Sequence, residues 1–101
     1  MGLQAAPEPV AEHAIEVTGC GSSQFNGLYI PDGKHNNKTY YRKVGGEPHI
    51  RFHHTTWRIT KNHSTDGAVY SATHTGDWPP SSGWALSGLG KAPPPSGVLR
   101  Y

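Results

Sequence analysis

Residues 48–61 read PHIRFHHTTWRITK. Large apolar side chains alternate with polar ones, Ile50 and Phe52 before the centre and Trp57 and Ile59 after it. A period of two places alternate side chains on one face of a strand. Pairing Phe52 with Trp57 and Ile50 with Ile59 leaves His54-Thr55 as a two-residue turn. All four apolar groups then share a face. A one-residue slip would turn Trp57 and Ile59 into solvent, so burial selects this register. The same register sets Arg51 opposite Arg58 on the other face, with His49 and His53 beside them.

The pattern extends in both directions. Across the polar loop 62–67, Lys61 falls opposite Ala68, which pairs Ile59 with Tyr70 and Trp57 with Ala72 in a strand at 68–73. A strand at 38–44 (KTYYRKV) precedes the hairpin, joined through a two- or three-residue turn at Gly45-Gly46. Strands are also expected at 14–19 and 26–31, the latter with Leu28 and Ile30 on one face and Tyr29 turned away from the core. Pro31-Asp32-Gly33 reads as a turn, Pro presetting φ and Gly taking a positive φ. After Trp84 and Leu86, the run Lys91-Ala92-Pro93-Pro94-Pro95 gives a stiff crossing into a last strand at 98–101. The expected core is Ile50, Phe52, Trp57, Ile59 and Tyr70 with Tyr40 or Tyr41, closed by Ile15, Val17, Trp84 and Leu86. The sequence therefore predicts one all-β domain over 14–101, an antiparallel meander of six or seven short strands forming a small sandwich or barrel. Residues 1–13 are expected to be an arm without fixed structure.

Composition agrees with a small folded unit. The chain has 101 residues, with 13 Gly and 9 Pro, which disfavour long helices. Leu, Ile, Val and Phe number only 16, but three Trp, five Tyr and a net charge of +2 argue against a disordered chain. No apolar run approaches the roughly 18–20 residues of a membrane span, so no membrane partner is expected. Residues 1–14 lack the basic and apolar regions of a secretory leader. Cys20 is the single cysteine, and an intrachain disulfide is excluded. A cytoplasmic setting follows as the expectation. Cys20 reads as a loop thiol between Gly19 and Gly21.

Charge is distributed unevenly. Residues 1–33 carry Glu8, Glu12, Glu16 and Asp32 and no base, whereas 34–61 carry seven Lys and Arg against Glu47 alone. On the hairpin register, His49, Arg51, His53 and Arg58 share the face away from the core, and Arg42 or Lys43 adds to it. Like charges directly opposite one another are destabilising. Solvent screens this face, the acidic N-terminal strand covers it, or an anionic partner uses it. The seven histidines match no metal-ligand spacing, and no metal is expected. A pH response through an Arg-flanked His is a further option. Trp78, in Asp77-Trp78-Pro79-Pro80, either closes one end of the core or offers an aromatic platform for sugars, bases or proline rings. No catalytic motif and no glycine-rich phosphate loop occurs, so neither an enzyme nor a cofactor is expected.

The chain also carries Asn26-Gly27-x-Tyr29, Asp32-Gly33, Tyr40-Tyr41-Arg42-Lys43, Gly45-Gly46, Ile50-x-Phe52, Trp57-x-Ile59, Tyr70-Ser71, Pro79-Pro80 and Gly83-Trp84. This pattern, over about residues 15–101, resembles a small repeat that recurs in multidomain proteins of protists and invertebrates. The resemblance implies a modular all-β unit and no chemistry. The reading is a small, non-catalytic, monomeric interaction module that binds a protein or peptide. The alternatives are an anionic ligand (nucleic acid or a phosphorylated group) on the basic face, and a glycan on exposed aromatics. The candidate binding residues are Arg42, Lys43, His49, Arg51, His53, Arg58 and Trp78.

Overall fold

The computed structural model describes residues 13–35, 37–63, 68–88 and 90–101. The expected N-terminal arm lies outside these residues, apart from His13. The strands are β1 (Ile15–Thr18), β2 (Gly27–His35), β3 (Lys38–Lys43), β4 (His49–His53), β5 (Thr56–Thr60), β6 (Ala68–Thr73), β7 (Ala85–Leu86) and β8 (Gly97–Arg100). Helix among the described residues is limited to a 3-10 turn at Ser23–Phe25. No described helix is long and apolar enough to cross a membrane.

All eight strands lie in one antiparallel sheet, ordered β7-β6-β5-β4-β3-β2-β1-β8, which curls into a half-barrel. The central hairpin has the register that burial selects: Ile50↔Ile59, Arg51↔Arg58, Phe52↔Trp57 and His53↔Thr56. His54, the first turn residue, has φ 58°, a region in which Gly or Asn is usual. Between β5 and β6, Ile59↔Tyr70 and Trp57↔Ala72 form as expected. At the loop end Ala68 faces Thr60 rather than Lys61, because a bulge after Ile59 absorbs one residue.

The concave face holds the core. Ile15, Val17, Tyr29, Tyr41, Ile50, Trp57, Ile59, Tyr70 and Val98 are buried there, with Phe25, Phe52 and Trp84. Burying each large side chain contributes about 1.5–3 kcal/mol. The Tyr70 hydroxyl ties three parts of the chain together. It accepts from the Ser22 amide at 3.0 Å and donates to the Lys91 carbonyl at 2.7 Å. The Tyr70 ring also meets Phe25 edge-on, with centroids 6.2 Å apart. The loops flanking the sheet are thereby drawn across its open side.

Several expectations are corrected. Pro31-Asp32-Gly33 is not a turn. β2 runs nine residues straight through it, with a bulge between Pro31 and Gly33. The last β1–β2 pair is Ile15↔Tyr29. The Pro31 nitrogen faces the β1 side beyond that pair, where no ladder needs its donor. Tyr29 faces inward, not outward, because it lies opposite Ile15, and its hydroxyl donates to the Phe25 carbonyl at 2.8 Å. Leu28 and Ile30 are the exposed pair. The β3–β4 connection is longer than a three-residue turn and closes with the Lys43 amide on the Pro48 carbonyl at 2.8 Å. Leu86 is exposed, because β7 is a two-residue strand at the sheet edge.

Candidate functional site

The seven predicted residues do not form one surface. Arg42 lies opposite His49, on the convex face with Arg51 and Arg58. Lys43 pairs with Tyr29, on the other face, and its ammonium donates to the Gln24 carbonyl at 2.7 Å. His53 is half-buried at the β4 end, with its ring 4.0 Å from that of His54. Trp78 stands apart, on the loop after β6.

The convex face is not open. His49 is 3% exposed and Arg51 5%. The acidic N-terminal strand does not cover them, because β2 and β3 separate β1 from β4 within the sheet. The cover is aromatic. The His63 ring lies 5.0 Å from that of His49 and 5.1 Å from that of Tyr40. The Arg51 guanidinium lies over Tyr40, 5.0 Å from its centroid. Arg58 is half-buried, and its Nε donates to the Thr56 hydroxyl at 3.1 Å. Asp32 reaches this cluster from β2, 3.5 Å from Arg42 Nε and 4.0 Å from His49 Nε2. Sequence reasoning missed Asp32, Tyr40 and His63. Only the alternation of Tyr40 with Tyr41 carried a signal.

His49 has a defined proton arrangement. Its Nδ1 sits 2.7 Å from the Glu47 carbonyl, so Nδ1 carries the hydrogen and donates it. Nε2 is then an acceptor, 3.4 Å from His63 Nδ1. Burial holds the His49 pKa below the ordinary imidazole value. The Glu47 carbonyl opposes this, His63 and Arg51 add to it, and Asp32 opposes it. Burial, then the charges of Arg51 and His63, lower His35 as well. The unfolded chain therefore binds more protons than the folded one once pH drops to about 6.5. Stability is fully present above that value and is lost as pH falls through the folded-state pKa values. Urea unfolding at pH 5, 6, 7 and 8 should show a positive slope below pH 7, at most about 1.4 kcal/mol per pH unit for each histidine. In His49→Gln the slope should shrink. An unchanged slope would remove His49 from the account.

The second region is a groove of about 500 Å³ whose lining includes Trp78, Pro79, Pro80, Val98, Leu99 and Arg100. Trp78 is 43% exposed, and the Arg100 guanidinium stacks on its ring at 3.8 Å. Trp78 therefore does not close the core. Trp84 is buried instead, donating from Nε1 to the Pro80 carbonyl at 2.8 Å. β8 forms the other wall and is the last strand on its side of the sheet. The Tyr101 amide donates to the Ala14 carbonyl at 2.8 Å. With the pairs Ile15↔Arg100 and Val17↔Val98, this fixes the ladder's phase. The backbone groups of Leu99 point to β1, and those of Val98 and Arg100 point away from it, toward the groove. No backbone partner for them occurs on that side among the described residues. Leu99 and Tyr101 are more than half exposed.

Chemistry elsewhere is quiet. Cys20 is buried, and burial pushes its thiol up to about 11, so the thiolate is scarce at neutral pH. No group of three His, Cys, Asp or Glu able to hold a metal ion occurs among the described residues. Comparison with protein-family models, with curated proteins and with solved structures finds no match for this chain.

Proposed function

We propose that the domain is a non-catalytic interaction module that takes an extended segment of a partner protein in the groove beside β8. The observation that carries this reading is the outward-facing backbone of Val98 and Arg100 along an aromatic and proline-lined wall. An added strand gains main-chain hydrogen bonds from the edge, and alternate side chains supply specificity. Trp78 offers rigid apolar area, and Arg100 favours an acidic side chain on the segment. The module would work inside multidomain proteins, as its resemblance to a repeat implies. One unpaired cysteine accords with the cytoplasm. The other two readings draw less support. Burial of His49 and Arg51 interrupts the basic strip that a nucleic acid would need, and among Phe, Tyr and Trp the groove lining offers a sugar Trp78 alone.

The test titrates a panel of acidic, proline-containing decapeptides and follows the Trp78 indole and the Val98 and Arg100 amides by NMR. Saturable shifts at these groups are expected. Trp78→Ala should weaken binding by at least about tenfold, as for a central aromatic contact. Arg100→Pro should abolish it and leave the fold intact, because the Arg100 amide points away from β1. Shifts confined to other surfaces would defeat the groove. A steep loss of affinity between about 50 and 200 mM salt would favour a polyanion instead.

A further inference from the structure

Arg51 has no carboxylate partner among the described residues. The ion pairs among the described residues are Lys38–Asp77 and Arg42–Asp32, and Asp32 also lies 4.0 Å from His49 Nε2. Arg51 is 5% exposed, and its Nε is buried without a hydrogen-bond partner among them. A buried charge left uncompensated costs several kcal/mol. Its guanidinium lies over the face of Tyr40, and Arg58 stands directly opposite on β5. His63 packs edge-on against the same Tyr40 ring. Arg51, His63 and His49 thus gather around one aromatic ring, His49 with its centroid 6.0 Å away. Asp32 pairs with Arg42 and lies 4.0 Å from His49 Nε2.

We infer that Arg51 and His63, which share the Tyr40 ring, form a binding site for a small oxyanion of the phosphate class. A guanidinium presents a planar fork of donors that suits a tetrahedral oxyanion. Exposed His63 packs on the same Tyr40 ring and contributes its imidazole. Bound there, the anion neutralises Arg51. The site is on the convex face and does not depend on the β8 groove. It fits one phosphate group, not a polymer, because His49 and Arg51 are covered on either side.

The phosphate can be inorganic or carried as a monoester, and the experiment separates the two. Wild-type protein is titrated with inorganic phosphate, then with O-phosphoserine, at constant ionic strength, with chloride as the control. NMR follows the His63 ring signals and the Arg51 Nε–H. Saturable shifts with at least one of the two, and none with chloride, are expected. The tighter arm identifies the source. Arg51→Met should weaken binding at least tenfold and should melt no lower than wild type without phosphate, since it removes an uncompensated charge. His63→Gln is at an exposed position that leaves folding intact, and it should weaken binding severalfold. Linear, unsaturated shifts that persist in both variants would overturn the proposal. So would a marked loss of stability in Arg51→Met that phosphate does not affect in the wild type, since Arg51 would then be satisfied within the protein.

Discussion

Trp57→Ala is expected to leave the domain mostly unfolded in water at 25 °C. Trp57 is fully buried at the centre of the sheet, opposite Phe52 on β4 and Ala72 on β6. Its ring meets Phe52 in a T-shaped contact with centroids 5.4 Å apart. Its indole N–H donates to the Gly76 carbonyl at 3.3 Å. Truncating a buried Trp costs about 3–5 kcal/mol through lost transfer energy and the cavity left behind. The stranded carbonyl adds to this. A domain of this size has a total stability near the lower end of about 5–15 kcal/mol. Urea unfolding followed by circular dichroism measures the effect. A loss below about 1.5 kcal/mol would mean that the core is organised around some other side chain.

Tyr70→Phe comes second, and its effect is disproportionate to the one atom removed. The hydroxyl serves as acceptor for the Ser22 amide and donor to the Lys91 carbonyl. Without it, both main-chain groups lose their partner. Stranding a buried polar group costs about 1–3 kcal/mol, so a total of about 2–6 kcal/mol is expected for the two. At about 4–8 °C per kcal/mol for a small domain, the melting temperature should fall by at least about 8 °C. Amide exchange at Ser22 should accelerate more than at Ile50. A variant that melts within about 2 °C of wild type would show that water replaces the hydroxyl at no cost.

The central hairpin was legible because two apolar pairs can be buried together in only one register. β2 was less so. Its Pro31-Asp32-Gly33 has the residues of a turn, and only the short length of β1 beside it makes room for a proline within a strand. The inward face of Tyr29 followed from pairing with Ile15, a long-range fact with no local signature. The convex site was half legible. Alternation placed Arg51 opposite Arg58, but the cover over His49 and Arg51 comes from Tyr40 and His63, which meet only after the sheet has curled. Trp78 stood out as an aromatic among prolines. Arg100, its stacking partner, lies in a strand whose edge position no spacing reveals.

The β1–β8 ladder has a consequence for the order of assembly. Thr18 and Gly97 meet across about 80 residues of chain, whereas the β4–β5 and β5–β6 connections close over fewer than ten. Loop closure costs about 0.6 kcal/mol more for each doubling of length, so three doublings set β8 back by about 1.8 kcal/mol against those hairpins. Contacts of such high sequence separation slow folding and form after the local ones. The meander from β2 to β6 can therefore zip up while β8 is still loose. One wall of the groove is the last piece of the molecule to arrive and the first to leave, and the surface proposed to receive a partner exists only when the outermost strand is in place.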